Sequence, residues 1–324
     1  MRGGKHCFVG LIALALAAPG GAAIAQAYPS KPVRFVVGFT PDGGTDINAR
    51  LLAAKLPEFL GQAFVVENRP GAGSNLGSEY VAKSPPDGYT MLVCTSAVAI
   101  NMALYKKLGY DTLRDFAPVS LFSEAPNILV VNNGVAARTV GELVELARAK
   151  PGVLNYSSAG SGTSQHMSAE LFKLRTKTNI VHVPYKGTAP SLTAVIAGDV
   201  DMTFANIPAI IQHVKAGRVR PLASSGDQRP ELMPDVPTMK EAGLTGAAVG
   251  VWYGVLAPAG TPREVVDTMA DAIRKAARSP DMKQRLAEQG ADPVGSTPEE
   301  FGRVLREDVA RWIEVVGAAG IRAD

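Results

Sequence analysis

The sequence predicts an α/β protein of two lobes, and three observations carry that prediction. Apolar, strand-like runs alternate with helical patterns from Val33 to Thr95 and again from Leu154 to Ser224. That rhythm is the one of a mostly parallel sheet with helices on its faces. Each series passes from strand to helix through glycine, at Thr40–Asp46 in the first and Ala159–Thr163 in the second. Long apolar runs near 119–131 and at Val249–Ala257 stand where strands crossing between lobes would lie. Two crossings divide the chain into a first lobe of 28–126 plus 226–324 and a second of 127–225.

Residues 1–27 precede that fold. Arg2, Lys5 and His6 form a short basic region, Cys7–Ala18 is apolar, and Ala25-Gln26-Ala27 is a small-x-small site. This is the order of a secretory signal, cleaved before Tyr28, and its apolar stretch is too short to span a bilayer. Cys7 lies ahead of the apolar stretch, which argues against a lipoprotein. Losing Arg2 and Lys5 takes the 33 basic residues to 31, against 30 acidic. Near-neutrality with no long run of one sign leaves no footprint for nucleic acid. Only Cys94 remains after processing, so no internal disulfide can form. An exported chain of this length has core enough without one.

Taken in order, Val33–Phe39 reads as a strand, and the amphipathic pattern after Asp46 as a helix reaching Leu60. Ala63–Glu67 is a short β-rich run and Asn75–Lys83 a short helix. Pro85-Pro86-Asp87-Gly88 then turns the chain into a buried strand, Tyr89–Thr95. Val119–Phe122 and Ile128–Asn132 are further apolar runs. Thr139 and Glu142 have capping-box spacing for a helix that runs to Lys150 and stops at Pro151-Gly152. The second series has strands Leu154–Ser158, Ile180–Pro184, Val200–Ala205 and Val219–Ser224. Its helices are Ser164–Lys177, Ala189–Ala197 and Pro208–Ala216. Three C-terminal helices are announced by Thr261-Pro262, Ser279-Pro280 and Thr297-Pro298, a cap followed by proline at the first helical position. Glu264 and Glu300 would complete capping boxes at the first and third.

Most catalytic templates fail. There is no phosphate-binding G-x-x-x-x-G-K-[ST], no H-E-x-x-H, no C-x-x-C and no G-x-S-x-G. With His166, His182 and His213 lacking helical i, i+4 spacing and a single cysteine, neither a metal site nor a cofactor is expected. Gly71–Gly77 follows a strand and opens a helix, as a dinucleotide loop would. However, Arg69-Pro70 lengthens the turn and no acid ends a following strand to hold a ribose.

Three loops remain at the ends of predicted parallel strands, where open α/β sheets bind ligands. They are Thr40–Asp46, Ser158–His166 and Pro184–Thr188. All contain glycine, which lets backbone approach a ligand closely. None contains arginine, and Lys186 is their one lysine. An anion held here would depend on backbone N–H groups, the hydroxyls of Ser161, Thr163 and Ser164, and helix dipoles. Several residues also carry plainer readings. Asp46 and Ser164 suit helix caps, His166 suits a local hydrogen bond, and Tyr185 suits packing between lobes. Trp252-Tyr253 read as core or hinge.

Together these stretches resemble the Bug-type periplasmic receptors, the solute-binding proteins of tripartite tricarboxylate transporters. The matching segments are Tyr28–Val33 (YPSKPV), Phe39–Asp46 (FTPDGGTD), Val66–Gly77 (VENRPGAGSNLG), Lys83–Tyr89 (KSPPDGY), Asn155–His166 (NYSSAGSGTSQH), His182–Gly187 (HVPYKG), Asp235–Gly243 (DVPTMKEAG), Trp252–Pro262 (WYGVLAPAGTP) and Gly295–Glu300 (GSTPEE). The resemblance implies a type II-like Venus-flytrap fold that closes on a small carboxylate and delivers it to integral membrane subunits; a monomer is the default expectation. It assigns the ligand to Phe39, Thr40, Pro41, Gly43, Gly44, Thr45 and Asp46 on one side. On the other side it assigns Ser158, Ala159, Gly160, Ser161, Gly162, Thr163, Ser164 and His166. Tyr185, Lys186 and Gly187 line the same cleft, and Ala205 stands where the family often carries aspartate. Asp42 replaces a glycine of the family's turn and sets a carboxylate beside the expected anion site. A carboxylate sensor feeding a signalling receptor, and an exported α/β enzyme, are the alternative functions.

Overall fold

In a computed structural model, which describes Gly4, residues 28–247 and 249–323, the first βα series folds as the rhythm predicts. The signal segment 1–27 lies outside the described residues apart from Gly4. The first series is β1 (Val33–Val37), α1 (Gly44–Lys55), α2 (Pro57–Leu60), β2 (Phe64–Asn68), α3 (Asn75–Ala82) and β3 (Thr90–Thr95). Next come α4 (Ala97–Leu104), β4 (Phe116–Ala125), β5 (Asn127–Asn132) and α5 (Val140–Ala149). The second series is β6 (Asn155–Ser158), α6 (Ser164–Thr176), β7 (Val181–Pro184), α7 (Thr188–Ala197), β8 (Met202–Asn206), α8 (Ile207–Lys215) and β9 (Val219–Ser224). The chain closes with β10 (Val251–Pro258), α9 (Arg263–Arg278), α10 (Pro280–Glu288), β11 (Asp292–Pro293) and α11 (Pro298–Ala319).

Two sheets result, ordered β11-β4-β10-β3-β1-β2 and β7-β6-β8-β5-β9. Among the named strands of the described residues, parallel pairing joins β2-β1-β3 and β7-β6-β8, the strands linked by helical crossovers. The strands β4, β5 and β10 join their neighbours antiparallel, so both sheets are mixed where the rhythm had suggested mostly parallel ones. Only Pro126 separates β4 from β5. That run feeds both sheets without the helical connection that would align it parallel.

Alternate residues of each strand serve opposite cores. Phe35 and Val37 pack with Leu52, Met91 and Ile273, while Val36 packs with Leu92, Cys94 and Phe301. In the second sheet Leu129 and Phe204 join Tyr156 and Phe172, while Ile128 and Ala205 join Val195 and Ile210. The proline-rich segment after β9 lies along the second sheet: Met233 and Val236 enter one of its cores and Met239 the other. A further apolar cluster draws on both sides, with Ile100 and Leu104 of α4, Trp312 and Val316 of α11, and Met167 and Leu171 of α6.

Helix starts follow the local chemistry, with two departures. Thr297 and Glu300 form the complete capping box of α11. The expected box at Thr261 does not form, because its hydroxyl donates to the Pro258 carbonyl at 2.7 Å and Pro262 becomes the capping residue. Thr139 accepts from the Glu142 N–H, but the Glu142 carboxylate takes the N–H of Arg138 instead of closing the box. The helix α4 escapes the sequence pattern because Ala97–Leu104 is apolar on almost every face, which leaves no 3.6-residue period to detect.

Candidate functional site

The turn between β1 and α1 is shaped by one buried carboxylate. Asp46 accepts from the Asp42 N–H at 3.1 Å, from Arg50 Nε at 2.8 Å and from Asn68 Nδ2 at 2.9 Å. Asn68 Nδ2 also donates to the Phe39 carbonyl at 3.0 Å, so one acid and one amide fold the loop over. Asp46 is therefore engaged within its own loop. Asp42 takes a left-handed backbone with φ 61° and is exposed. Aspartate tolerates that conformation better than most residues, which explains how it replaces glycine. Its carboxylate stands at the surface, outside the turn's interior. α1 then starts at Gly44 behind Gly43, with no side-chain cap. The first-turn N–H groups of Gly44, Thr45 and Asp46 have no partner within the helix. Phe39 is buried in the core and Pro41 is exposed.

The loop from β6 to α6 is held by its own side chains. Ser158 Oγ accepts from the Gly160 N–H at 3.1 Å and shares a 2.7 Å hydrogen bond with His182 Nε2. The Ala159 N–H donates to Gln165 Oε1 at 2.8 Å, and the Gly162 N–H to His166 Nδ1 at 3.2 Å. Thr163 caps α6 by accepting from the His166 N–H, and its hydroxyl donates to the Gly160 carbonyl at 2.8 Å. Gly160 and Gly162 adopt φ of 124° and 84°, a region that excludes most side chains. His166 stacks on His182, which stacks on Tyr156. Ser161 and Ser164 are buried beside them.

Across the lobes the first loop meets the 185–188 turn, which the second loop supports from its own lobe, while Ser161 of the second loop meets Gly73 and Tyr105. The Thr40 N–H donates to the Lys186 carbonyl at 3.3 Å, and Gln165 Nε2 to Thr188 Oγ1 at 2.7 Å. Tyr105 Oη donates to the Ser161 carbonyl at 3.1 Å. A methyl group on Gly43 would sit 3.6 Å from Thr188 Cβ, and one on Gly187 would sit 3.0 Å from Thr40 N. One on Gly44 would overlap the Asn206 side chain and lie 2.7 Å from Tyr253 Oη. Glycine at these positions is what permits so close an approach.

Four helices begin at this junction. α1, α7 and α8 start behind Gly43, Gly187 and Asn206 with no side-chain cap, whereas α6 has Thr163. Each helix end carries about half a positive charge. The nearby cations contribute little: the Lys186 side chain is exposed and Arg50 is bonded to Asp46. Positive potential here comes from backbone.

Beside those helix ends lie three buried polar atoms without a hydrogen-bond partner, Thr40 Oγ1, Asn206 Oδ1 and Tyr253 Oη. Leaving such a group unpaired costs roughly 1–3 kcal/mol. Burial pushes the Tyr253 phenol well above its usual range, so it stays an O–H. Asn206 and Tyr253 were not among the candidates from sequence. Tyr253 sits in an apolar strand, and Asn206 ends β8 at the one βα junction of the four that lacks glycine. Ala205, which was a candidate, points its methyl into the core beside Ile128. Among the described residues no group of three or more His, Cys, Asp or Glu could hold a metal ion.

Residues 48–321 match the model of a family described as tripartite tricarboxylate transporter family receptor. Protein BugT of Bordetella pertussis is 35% identical over 300 residues, covering 92% of this chain and 92% of its own. Among solved structures, R. palustris Rpa4515 with adipate has a TM-score of 0.88 at 39% identity, covering 91% of this chain and 99% of its own. MatC (Rpa3494) from Rhodopseudomonas palustris with bound malate has a TM-score of 0.86 at 33% identity, covering 89% and 100%.

Proposed function

The chain belongs to the tripartite tricarboxylate transporter receptor family, and we propose how it works as a periplasmic solute-binding receptor. Its ligand is a small organic carboxylate, taken up between lobes 28–126 plus 226–324 and 127–225 and delivered to the membrane subunits of the transporter. The observation that carries this reading is the meeting of three uncapped helix N-termini with glycine loops free of arginine. Adipate in one relative's structure and malate in another's support the ligand class. The basic, apolar and small-x-small order of residues 1–27 supports export with cleavage before Tyr28. The receptor acts as a monomer.

Energetically, three helix ends contribute about 0.3–1 kcal/mol each. Three or four hydrogen bonds to a charged group add roughly 1.5–3 kcal/mol each. After ordering costs this reaches micromolar binding, about −8 kcal/mol. The ligand carboxylate meets α1 first, and closure then brings up Ser158–His166, Tyr185–Gly187 and Asn206, excluding water from the contacts.

A thermal-shift screen of mono-, di- and tricarboxylates tests the ligand class. A true ligand at a hundred times its Kd stabilises the native state by about 2.7 kcal/mol. If no carboxylate raises the melting temperature, while a sugar or a cation does, the reading fails.

A further inference from the structure

We propose that Gly73, Asn101 and Tyr105 form a clasp that holds the second lobe shut without touching the ligand, and that this clasp sets how long a bound carboxylate is retained. The proposal rests on the receptor reading above and adds a closing device to it.

The Gly71–Gly77 loop, whose spacing imitates a dinucleotide loop, has a different use. Gly71, Ala72, Gly73 and Ser74 in succession take positive φ, of 140°, 48°, 60° and 82°. That is uncommon for alanine and serine, and such a run persists only where its surroundings hold it. Asn101 Nδ2 holds it, donating to the Gly73 carbonyl at 3.0 Å and to Asn75 Oδ1 at 2.7 Å. Tyr110 Oη donates to the same Asn75 oxygen at 2.8 Å.

The run lays Gly73 against the other lobe, where an added Cβ would overlap the Ser161 carbonyl oxygen. Gly162 repeats the arrangement in reverse. A Cβ on it would overlap Asn101 Oδ1, a buried oxygen with no hydrogen-bond donor. In both places the glycine Cα–H points at an oxygen of the opposite lobe, the geometry of a weak Cα–H···O bond. Tyr105 adds a conventional bond, its Oη donating to the Ser161 carbonyl at 3.1 Å. Ile100, Asn101 and Leu104 share one face of α4, which Tyr105 ends. Ile100 and Leu104 pack there with Met167 and Leu171 of α6.

Contacts this close leave no room for a ligand atom between Gly73 and Ser161, or between Asn101 and Gly162. The clasp therefore acts on the lobes alone. Each contact joins one lobe to the other, so it exists only when they are together. Removing it lowers the share of closed receptor, which weakens every ligand by one common factor. The change falls on dissociation more than on association. A residue that touched the ligand would discriminate among acids instead.

The test is titration calorimetry and stopped-flow release on the full mature chain, with acetate, lactate, succinate, malate, adipate and citrate as probes. Tyr105→Phe removes one hydroxyl and is expected to weaken each acid that binds by about three- to tenfold, through faster release. Gly73→Ala sets a methyl group against the Ser161 carbonyl and should weaken each by at least about thirtyfold. Gly61→Ala is the control for backbone strain, since φ there is 67° and open space surrounds an added Cβ. Its affinity should stay within about twofold of native. In each clasp variant the ratios between acids should match the native ratios within about threefold. Affinity within about twofold of native in either clasp variant overturns the inference and leaves the receptor reading standing. So does a loss that differs more widely between acids, which would put the residue at the ligand, or an equal loss in Gly61→Ala. Should Gly73→Ala fail to fold by its melting curve, Tyr105→Phe decides alone. Binding of none of the six acids to the native chain overturns the receptor reading, and the clasp with it.

Discussion

Gly44→Val is expected to lower ligand affinity by at least about a hundredfold, or 2.7 kcal/mol, while the ligand-free protein still folds and melts no more than about 10 °C below the native chain. Any Cβ at this position overlaps Asn206 and comes within 2.7 Å of Tyr253 Oη, and the two γ-methyl groups of valine enlarge the clash. The Asn206 overlap is relieved only when the second lobe stays back, whereas the Tyr253 contact lies within the first lobe and costs stability there. Backbone strain does not confuse the result. Gly44 opens α1 in a conformation that any residue adopts, and replacing a helical glycine gives up to about 1 kcal/mol in compensation. Gly162 would be a poorer choice for the same test. Its φ of 84° strains any side chain, so valine there would destabilise the loop as well as block the approach of Asn101. Calorimetry with the best carboxylate, beside a melting curve without it, separates the two effects. Retained micromolar affinity in a folded Gly44→Val protein would remove this junction as the site.

The glycines were legible in the sequence because they are punctuation. Thr40–Asp46 and Ala159–Thr163 interrupt apolar runs at the ends of strands, and the structure sets the first against Thr188 and Asn206 and the second against Gly73 and Asn101. What the pattern could not supply was which side chains complete the junction. Tyr253 lies in a run whose every residue is buried, and apolar periodicity cannot distinguish a phenol serving the core from one serving a cleft. Asn206 follows four buried residues on β8 and precedes Ile207-Pro208, so it reads as an ordinary strand end. Only the meeting of β8 and β10 from different sheets gives either residue a partner. The mixed sheets escaped for a related reason. Local rhythm reports helical crossovers, but the antiparallel insertion of β4, β5 and β10 depends on how the chain passes between lobes. Capping boxes were half legible, since the Thr261 hydroxyl had a competing acceptor in Pro258 that spacing does not reveal.

Asp46→Ala should produce the opposite profile, with a large loss of stability and only an indirect effect on binding. The carboxylate is 1% exposed and has three donors, of which the Asp42 N–H and Asn68 Nδ2 would be left without it. Each half-buried donor so abandoned costs about 1–3 kcal/mol. The Arg50 guanidinium is about half exposed, so water replaces most of what that ion pair loses. The expected total is about 2–4 kcal/mol, a fall of roughly 5–10 °C in Tm for a chain of this size. Asp46→Asn keeps one acceptor oxygen and should recover about half of that loss. If Asp46 instead contacted the ligand directly, both variants would lose affinity with little change in the ligand-free melting temperature. Melting curves of the two variants with and without carboxylate therefore distinguish a residue that shapes the α1 turn from one that binds at it. The three hydrogen bonds already made by its two oxygens favour the first role: an acid so engaged fixes the geometry in which the Gly44 and Thr45 N–H groups face outward from the helix end, and the ligand meets that geometry.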